Sequence, residues 1–293
     1  MKRSYLYLLL IAALLTSCSQ LGASKHQAIK TGVIYDLHNQ TAISREQLID
    51  SMLADDYVVL GERHDNPKHH QLQLWVLQQL QEKQWLTQLS MEMIEPKQQA
   101  AYGTLAPKDA GDKATLQKTL AWADDGWPWN DYASLLQLAV KNSIKVQSAN
   151  IDGDDIKALY KGIQPASQVV LSNDARTELL RDIEASHCGY IKEPQTSNML
   201  SVQLARDHSM AKSLLQTNHG AALIAGAFHA RKDLGFPVHL QQLDANKKLL
   251  SLAFVEADEA ATQTQLITLA QQYDVIWVTP VHKRGDPCAE FKK

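Results

Sequence analysis

The sequence predicts an α/β fold in which a mostly parallel sheet is sandwiched by helices. Short apolar runs alternate along the chain with longer stretches whose apolar residues recur at the helical period, which is typical of this class. Residues 57–60 and 221–225 are uniformly apolar, as expected for strands buried on both faces of a parallel sheet. Residues 238–243 and 250–256 also have strand patterns, and these late strands leave open an antiparallel edge.

The N-terminus has the features of a lipoprotein signal peptide. Lys2 and Arg3 precede an apolar segment, residues 5–15, that is too short to span a bilayer. The following Leu-Thr-Ser-Cys resembles the bacterial lipobox, in which the cysteine, here Cys18, becomes the lipidated first residue of the mature protein. Ser19 comes next, as in lipoproteins sorted to the outer membrane. We therefore expect the protein to be attached to the outer membrane of a bacterial cell through its N-terminal lipid alone.

The rest of the chain is long enough to form one sizeable domain. Polar and small residues follow the lipobox and predict a tether before the first strand. The predicted organisation is a signal peptide at residues 1–17, a lipidated tether at residues 18–30 and a single α/β domain at residues 31–293.

Composition narrows the possible functions further. The chain has 29 basic and 32 acidic residues, a formal net charge of −3, so it lacks the charge of a nucleic-acid-binding protein. With Cys18 assigned to lipid, Cys188 and Cys288 are left, and a leftover pair in an exported chain favours a disulfide. Two separate free thiols are the alternative.

Helix starts are marked by capping residues. Ser44 with Gln47 three residues later has the spacing of a capping box, and Asn66 followed by Pro67 is typical of an N-cap and first helical residue. These signals predict helices at residues 44–53 and 67–82, and the polar residues 108–118 predict a surface segment. Other expected helices cover residues 170–185, 194–215 and 262–271 and one that starts at Asn130 or Asp131, and other strands cover residues 32–36, 86–93, 145–150 and 274–279.

Two copies of Gly-x-x-His organise the chain, at residues 61–64 and 226–229. Each copy directly follows one of the two uniformly apolar strands. Because ligands of α/β sheets bind beyond the carboxyl ends of the strands, we expect His64 and His229 to meet at one rim. The alternative is that each glycine only makes a tight turn and each histidine only a local hydrogen bond.

Two carboxylates accompany this histidine pair. Glu62 lies within the first motif, and Glu92 ends another predicted core strand. Imidazole and carboxylate groups are ligands that borderline and hard divalent metal ions accept, so His64, His229, Glu92 and Glu62 form a candidate metal site.

An aromatic segment is the other candidate for ligand binding. Trp122, Trp127 and Trp129 fall within eight residues, and Tyr132 follows at a predicted helix start. Such a segment suits a flat apolar ligand, whereas ordinary core packing is the alternative.

These residues resemble the ChaN haem-binding lipoproteins of the Tiki/TraB superfamily. The resemblance spans most of the mature chain and is carried, in order, by residues 60–66, 90–93, 127–132, 203–211, 226–229 and 235–237, together with the lipobox. It implies an α/β fold and an outer-membrane lipoprotein with a part in haem or iron acquisition. In that family haem can be held cofacially between two subunits, with a tyrosine on the iron, which implies a homodimer on haem binding.

The resemblance also assigns candidate residues to the haem. Tyr132 is the first choice for the iron ligand, with Tyr102 and Tyr190 in reserve. Trp127 would contact the ring, and Arg63, Arg231 and Lys232 would meet the propionates through charge-assisted hydrogen bonds.

The wider superfamily implies an alternative function. It includes proposed metal-dependent hydrolases, of the Tiki and erythromycin-esterase-like kind, that are built on paired Gly-x-x-His motifs. A divalent metal ion on the histidines and one carboxylate would activate water, with Glu62 or Glu92 as the base. No Gly-x-Ser-x-Gly motif is present, which argues against serine-hydrolase chemistry.

Overall fold

A computed structural model describes residues 31–122, 124, 126–163, 169–257, 263–286 and 288–289. The predicted signal peptide, Cys18 and the tether lie outside these residues. Within them, no helix is both long enough and apolar enough to cross a membrane.

The described chain forms an eight-stranded sheet with the order β2-β1-β8-β7-β3-β6-β4-β5. The strands are β1 (Ile34–Asp36), β2 (Thr41–Ile43), β3 (Tyr57–Glu62), β4 (Gln88–Met91), β5 (Lys145–Ser148), β6 (Ala221–Gly226), β7 (Leu249–Glu256) and β8 (Val275–Thr279). From β8 to β5 all neighbouring strands are parallel, whereas β1 runs antiparallel to both β2 and β8. The predicted α/β class is confirmed, and its antiparallel edge is built from the first strands rather than the late ones.

Helices cover both faces of the sheet. They are α1 (Arg45–Leu53), α2 (Pro67–Glu82), α3 (Gln99–Gly103), α4 (Lys113–Thr119), α5 (Trp129–Lys141), α6 (Gly153–Tyr160), α7 (Asn173–Ser186), α8 (Gln195–Leu214), α9 (Phe236–Leu243) and α10 (Gln263–Gln272). The predicted starts of α1 and α2 are confirmed: Ser44 and Gln47 form a reciprocal capping box, and the Asn66 side chain accepts a hydrogen bond from the backbone N–H of Lys68.

Two local predictions are wrong. Residues 238–243 are not a strand but most of α9, because Pro237 lies in its first turn and buried Phe236 and Leu240 recur at the helical spacing of four. Helix α5 begins at Trp129 with Pro128 at the N-cap, so neither Asn130 nor Asp131 caps it. The polar segment 108–118 is mostly exposed, as predicted, and it contains most of α4, whose Leu116 is fully buried.

The sheet body has a large apolar core on each face. One core packs α1, α2 and α5 against the sheet, and the other packs the C-terminal half of α8 with α9 and α10. At one edge of the sheet the side-chain amide of Gln99 donates to the carbonyl of Val146 (2.9 Å) and accepts from the N–H of Ser148 (2.6 Å). This side chain therefore occupies hydrogen-bonding groups of edge strand β5 that another strand would otherwise use.

A second layer of helices projects beyond the carboxyl ends of the strands. The hydroxyl of Ser209 in α8 donates to the carbonyl of Asn150, just after β5, so residues 195–206 of α8 lie beyond the rim. There Leu200 and Leu204 pack with Leu179 and Ile183 of α7 in a small separate cluster. We call α6, α7, the turn 187–191 and residues 195–206 the overhang, and the rest of the sheet with its helices the body.

Candidate functional site

Three neighbouring strands bring polar groups to one rim of the sheet. β6 lies between β3 and β4, and Glu62 at the end of β3 pairs in register with Gly226 at the end of β6. Glu92 directly follows β4, and its Oε2 accepts a hydrogen bond of 2.8 Å from the N–H of Gly226. Both Gly-x-x-His stretches therefore begin at the carboxyl ends of adjacent parallel strands.

The two motif glycines are required by close packing. A Cβ at Gly61 would lie 2.9 Å from the Cα of Ala227, and one at Gly226 would lie 3.0 Å from Nε2 of His64. Any larger residue would push the two loops apart. The glycines therefore let the loops after β3 and β6 lie against each other, with the imidazole of His64 over Gly226.

Glu62 is the centre of the first polar cluster. Its Oε1 accepts a hydrogen bond of 2.6 Å from the Tyr132 hydroxyl and lies 2.9 Å from Nδ1 of His64, while Oε2 lies 3.3 Å from Nε2 of His70. Burial opposes ionisation of this carboxyl, but the two histidines outweigh it and lower the pKa of Glu62 to about 2. An ionised Glu62 takes the Nδ1–H of His64 and leaves Nε2 of that ring for other partners.

His229 is the centre of the second cluster. Its Nδ1 lies 2.7 Å from Oδ1 of buried Asp207 in α8, and its Nε2 lies 3.6 Å from Oε1 of Glu92. Burial disfavours a charged ring, but Asp207 and Glu92 outweigh it and raise the pKa of His229. The pKa of His64 is raised in the same way, where Glu62 and Glu92 outweigh burial.

Arg206 adds a positive group beside these clusters. Its charge lowers the pKa of Glu92, after the larger effects of His229, His64 and the Gly226 N–H. Its Nε is buried, and no hydrogen-bond partner for it is present in the described part of the chain. The rim therefore combines buried carboxylates with histidine and arginine side chains. The Nε–H of Arg206 is a hydrogen-bond donor without a partner in the described part of the chain.

The predicted metal site is not supported. The four residues proposed for it, His64, His229, Glu62 and Glu92, do lie at one rim. However, among the residues that the structure describes, no three His, Cys, Asp or Glu side chains are arranged to hold a metal ion. Each histidine instead uses its Nδ1 on its own carboxylate, and Glu92 is occupied by a backbone N–H.

Tyr132 does not present its hydroxyl to a ligand, contrary to the prediction. The side chain is fully buried between Trp122, Trp127 and His70, and its hydroxyl donates to Glu62. Burial and the nearby Glu62 charge raise its pKa strongly, so it does not form a phenolate here. Trp127 is only half-buried, with its ring edge-on to His64 at 4.8 Å between centroids.

The two arginines predicted to bind the haem propionates differ in exposure. The side chain of Arg63 is 54% exposed, and its Nε lies 3.8 Å from Asp65. The guanidinium of Arg231 is buried and binds Glu178, Asp182 and Asp233. Arg231 therefore joins α7 to the loop after β6 and is not open to a ligand, which corrects that prediction. Lys232 is likewise paired, with Asp274.

Cys188 and Cys288 are brought together as a disulfide, with 5.8 Å between their Cα atoms. The alternative of two separate thiols does not hold in this structure. The bond joins the C-terminal segment to the turn 187–191.

Several site residues were missed from sequence. Asp207 and Arg206 interrupt the apolar pattern of α8 with charges, which was the available signal for a polar site on that helix. His70 lies in the first turn of α2, close to the first motif in sequence, and its contact with Glu62 depends on how that helix packs.

A mostly parallel sheet with paired acidic and histidine groups at its carboxyl rim defines an α/β protein with a ligand site at the strand ends. Residues 48–240 match the family described as haem-binding uptake, Tiki superfamily, ChaN. The chain belongs to this family.

The chain is similar to several solved structures, of which the first supports the fold. ChaN of Campylobacter jejuni, whose structure is described as cofacial heme binding, has a TM-score of 0.72 and 25% identity, covering 86% of this chain and 96% of that chain. A mutant of the erythromycin esterase EreC in its open conformation has a TM-score of 0.48 and 12% identity, covering 87% of this chain and 98% of that chain. A succinoglycan biosynthesis protein has a TM-score of 0.44 and 11% identity, covering 88% and 94%. No curated protein matches the sequence.

Proposed function

We propose that this protein binds haem on the outer surface of the rim and overhang. The proposal is supported by the family match and by the similarity to the Campylobacter jejuni protein. Within this chain it is carried by one observation: the described tyrosines divide sharply into buried and exposed ones.

Five described tyrosines are buried and therefore cannot reach a haem shared between subunits. They are Tyr35, Tyr57, Tyr102, Tyr132 and Tyr273. Burial raises the pKa of Tyr102 well above its ordinary value, so this reserve candidate is as unsuitable as Tyr132. Tyr160 and Tyr190 are 41% and 56% exposed, and both lie on the overhang.

Tyr190 is the better candidate for the iron ligand. It is the more exposed of the two, and it lies in the turn 187–191, whose Ile191 packs against the same small cluster as Phe228 of the second motif. The turn is also bonded through Cys188 to Cys288 in the C-terminal segment, whose Arg284 binds Asp65 in the loop of the first motif. A tyrosine oxygen is a known protein ligand of haem iron.

The surroundings of Tyr190 provide further elements of a haem site. Arg63 is the predicted propionate partner that stays exposed, and its charge complements a carboxylate. Ile163, just after α6, and Val170, just before α7, are also exposed, at 70% and 76%. Exposed apolar side chains of this kind mark contact surfaces, so we propose that two copies meet there with haem between them.

The cellular role follows from the N-terminal sequence. A chain lipidated at Cys18 would carry its haem site at the outer membrane, where haem or iron is acquired. This anchoring is tested by labelling cells with a radioactive fatty acid: Cys18→Ser should abolish label on the protein and release it from the membrane fraction.

The haem proposal is tested by absorbance titration of residues 19–293 with haemin. We expect Tyr190→Phe to weaken binding about tenfold or more and to remove the charge-transfer absorption of a phenolate complex, because the ring stays and only the oxygen ligand is lost. Tyr160→Phe is the matched control on the same overhang, and Tyr132→Phe is the control for the buried candidate.

The controls also decide between the tyrosines. Loss of the charge-transfer band in Tyr160→Phe alone would identify Tyr160 as the iron ligand. An unchanged spectrum in all three variants would remove tyrosine as the ligand, and no uptake of haemin by the unaltered protein would overturn haem binding itself.

A second candidate function is acid–base hydrolysis at the inner rim. It is favoured by the orientation of His64, whose Nδ1 is fixed by ionised Glu62 while Nε2 is left to accept a proton from water. Such a reaction would be insensitive to chelators, unlike the metal-dependent one expected from sequence. Hydrolysis of a panel of chromogenic esters tests it: His64→Gln should abolish turnover, and equal rates in both proteins would eliminate this candidate.

A further inference from the structure

The C-terminal segment joins the body to the overhang. Strand β8 ends at Thr279, and residues 281–286 continue without regular secondary structure to Cys288. We call residues 281–286 with Cys288 the strap. It is attached at two points, and each point is part of the surface proposed for haem.

The first attachment lies at the loop after β3. Arg284 donates to both oxygens of Asp65 (2.6 and 3.1 Å) and to both oxygens of Glu256 (2.8 and 2.7 Å). The same two carboxylates are the neighbours of Arg63, at 3.8 and 4.0 Å. Arg284 therefore fixes the acidic groups that position Arg63.

The second attachment lies at the turn 187–191 of the overhang. Cys188 and Gly189 both have left-handed backbone angles, with φ of 56° and 72°, which end α7 and reverse the chain. A non-glycine residue in this conformation is held there by its surroundings, and here Cys188 is bonded to Cys288. Tyr190 is the second residue after it.

The two attachments are close along the chain. Four peptide units separate Arg284 from Cys288, so their Cα atoms can be no more than about 14 Å apart. The strap thus limits how far the turn with Tyr190 can move from the loop with Arg63.

We propose that the strap pre-organises the haem surface, and that opening the Cys188–Cys288 disulfide releases haem. This inference rests on the haem binding proposed above. A dithiol reductant supplies the chemistry: it transfers two electrons and two protons to the disulfide, leaving two cysteine thiols and its own disulfide. The turn with Tyr190 then becomes mobile, and haem binding must include the entropy of ordering it again.

The test compares residues 19–293 with the double variant Cys188→Ser plus Cys288→Ser. We expect haemin affinity to fall about tenfold in the double variant, with a weaker charge-transfer band, because ordering the loose turn opposes binding. Arg284→Gln removes the first attachment and leaves the disulfide in place, so we expect a smaller loss of haemin affinity. Arg45→Gln is its control, since Arg45 packs over the rings of Trp75 and Trp277 and is not among the partners of the strap.

Amide hydrogen exchange is the second readout and needs no haem. We expect residues 189–192 to exchange faster in the double variant and in protein reduced with dithiothreitol, and residues 62–66 to exchange faster in Arg284→Gln. Unchanged exchange at residues 189–192, or equal haem affinity in the double variant and the unaltered protein, would contradict the proposal that the strap pre-organises the haem surface. The unaltered protein could also fail to bind haem while exchange changes as expected. That result would overturn haem binding and the haem-releasing role of the disulfide, and the strap would then be a purely structural tether.

Discussion

The body and the overhang are held together by different physical means. The body packs dozens of fully buried apolar side chains on both faces of its sheet, whereas the separate cluster of the overhang has five: Leu179, Ile183, Leu200, Leu204 and Leu234. The overhang is joined to the body through Leu234, which belongs to the loop after β6, through the continuous helix α8, through the ion pairs of Arg231 and through the strap. The inner rim is therefore built on a rigid core, while the outer surface depends on a few polar and covalent links that can be changed without unfolding the body.

The largest expected effect separates the two regions directly. Leu60→Ala in β3 should lower the free energy of unfolding by about 4 kcal/mol, because the residue is fully buried in the main core and a cavity would remain. Leu179→Ala in α7, which is equally buried, should cost about 2 kcal/mol and speed hydrogen exchange mainly at residues 173–206, because the small cluster opens locally. Denaturant unfolding and exchange measure both. Equal, molecule-wide effects would show that the two regions unfold as one.

The next effect concerns charge in the body. The pKa of Glu62 is lowered from 4.5 to about 2, so its contribution to stability is fully present above pH 4.5 and is lost as the pH falls towards 2. Glu62→Gln should therefore lower the free energy of unfolding by about 3 kcal/mol at pH 7 and by much less at pH 2–3. Urea unfolding across this range checks it, with exposed Glu82→Gln as control. A pH-independent loss would assign the effect to packing rather than to ionisation.

The smallest effect concerns the link between the regions. Arg231→Met removes the cation that joins Glu178 and Asp182 of α7 to the loop after β6. These carboxylates are more than a third exposed and stay solvated, so we expect a loss of about 1–2 kcal/mol. Exchange should quicken in α7 and stay unchanged in β3. Lys157→Met, at an exposed pair with Asp154, is the control and should have almost no effect.

Local elements of both regions could be predicted from sequence, because their signals lie in neighbouring residues. Buried parallel strands have uniform apolar runs, and helix starts have local capping signals, so β3, β6, α1 and α2 could be predicted from neighbouring residues. Gly-x-x-His stretches at adjacent strand ends followed from the rule for parallel sheets.

Contacts between distant residues could not be predicted in this way. The partner of Tyr132 is Glu62, 70 residues away, and no local pattern distinguishes a tyrosine that faces a buried carboxylate from one that faces solvent. Arg231 was predicted to bind a haem propionate because it lies on the loop of the second motif, whereas the structure surrounds it with three carboxylates from two elements. The short run 238–243 has apolar spacing that fits either a strand or a helix, and tertiary packing decided it.

The side chain of Gln99 has a consequence for how copies of the protein can associate. By occupying the carbonyl of Val146 and the N–H of Ser148, it removes the free backbone groups through which a second molecule could add its own strand at β5. At the opposite edge, β2 has only three residues, too short to template such an addition. Growth by sheet extension, which would be open-ended and difficult to reverse, is therefore suppressed at both edges. The proposed pairing of two molecules around haem would then use their helical surfaces, where association is reversible.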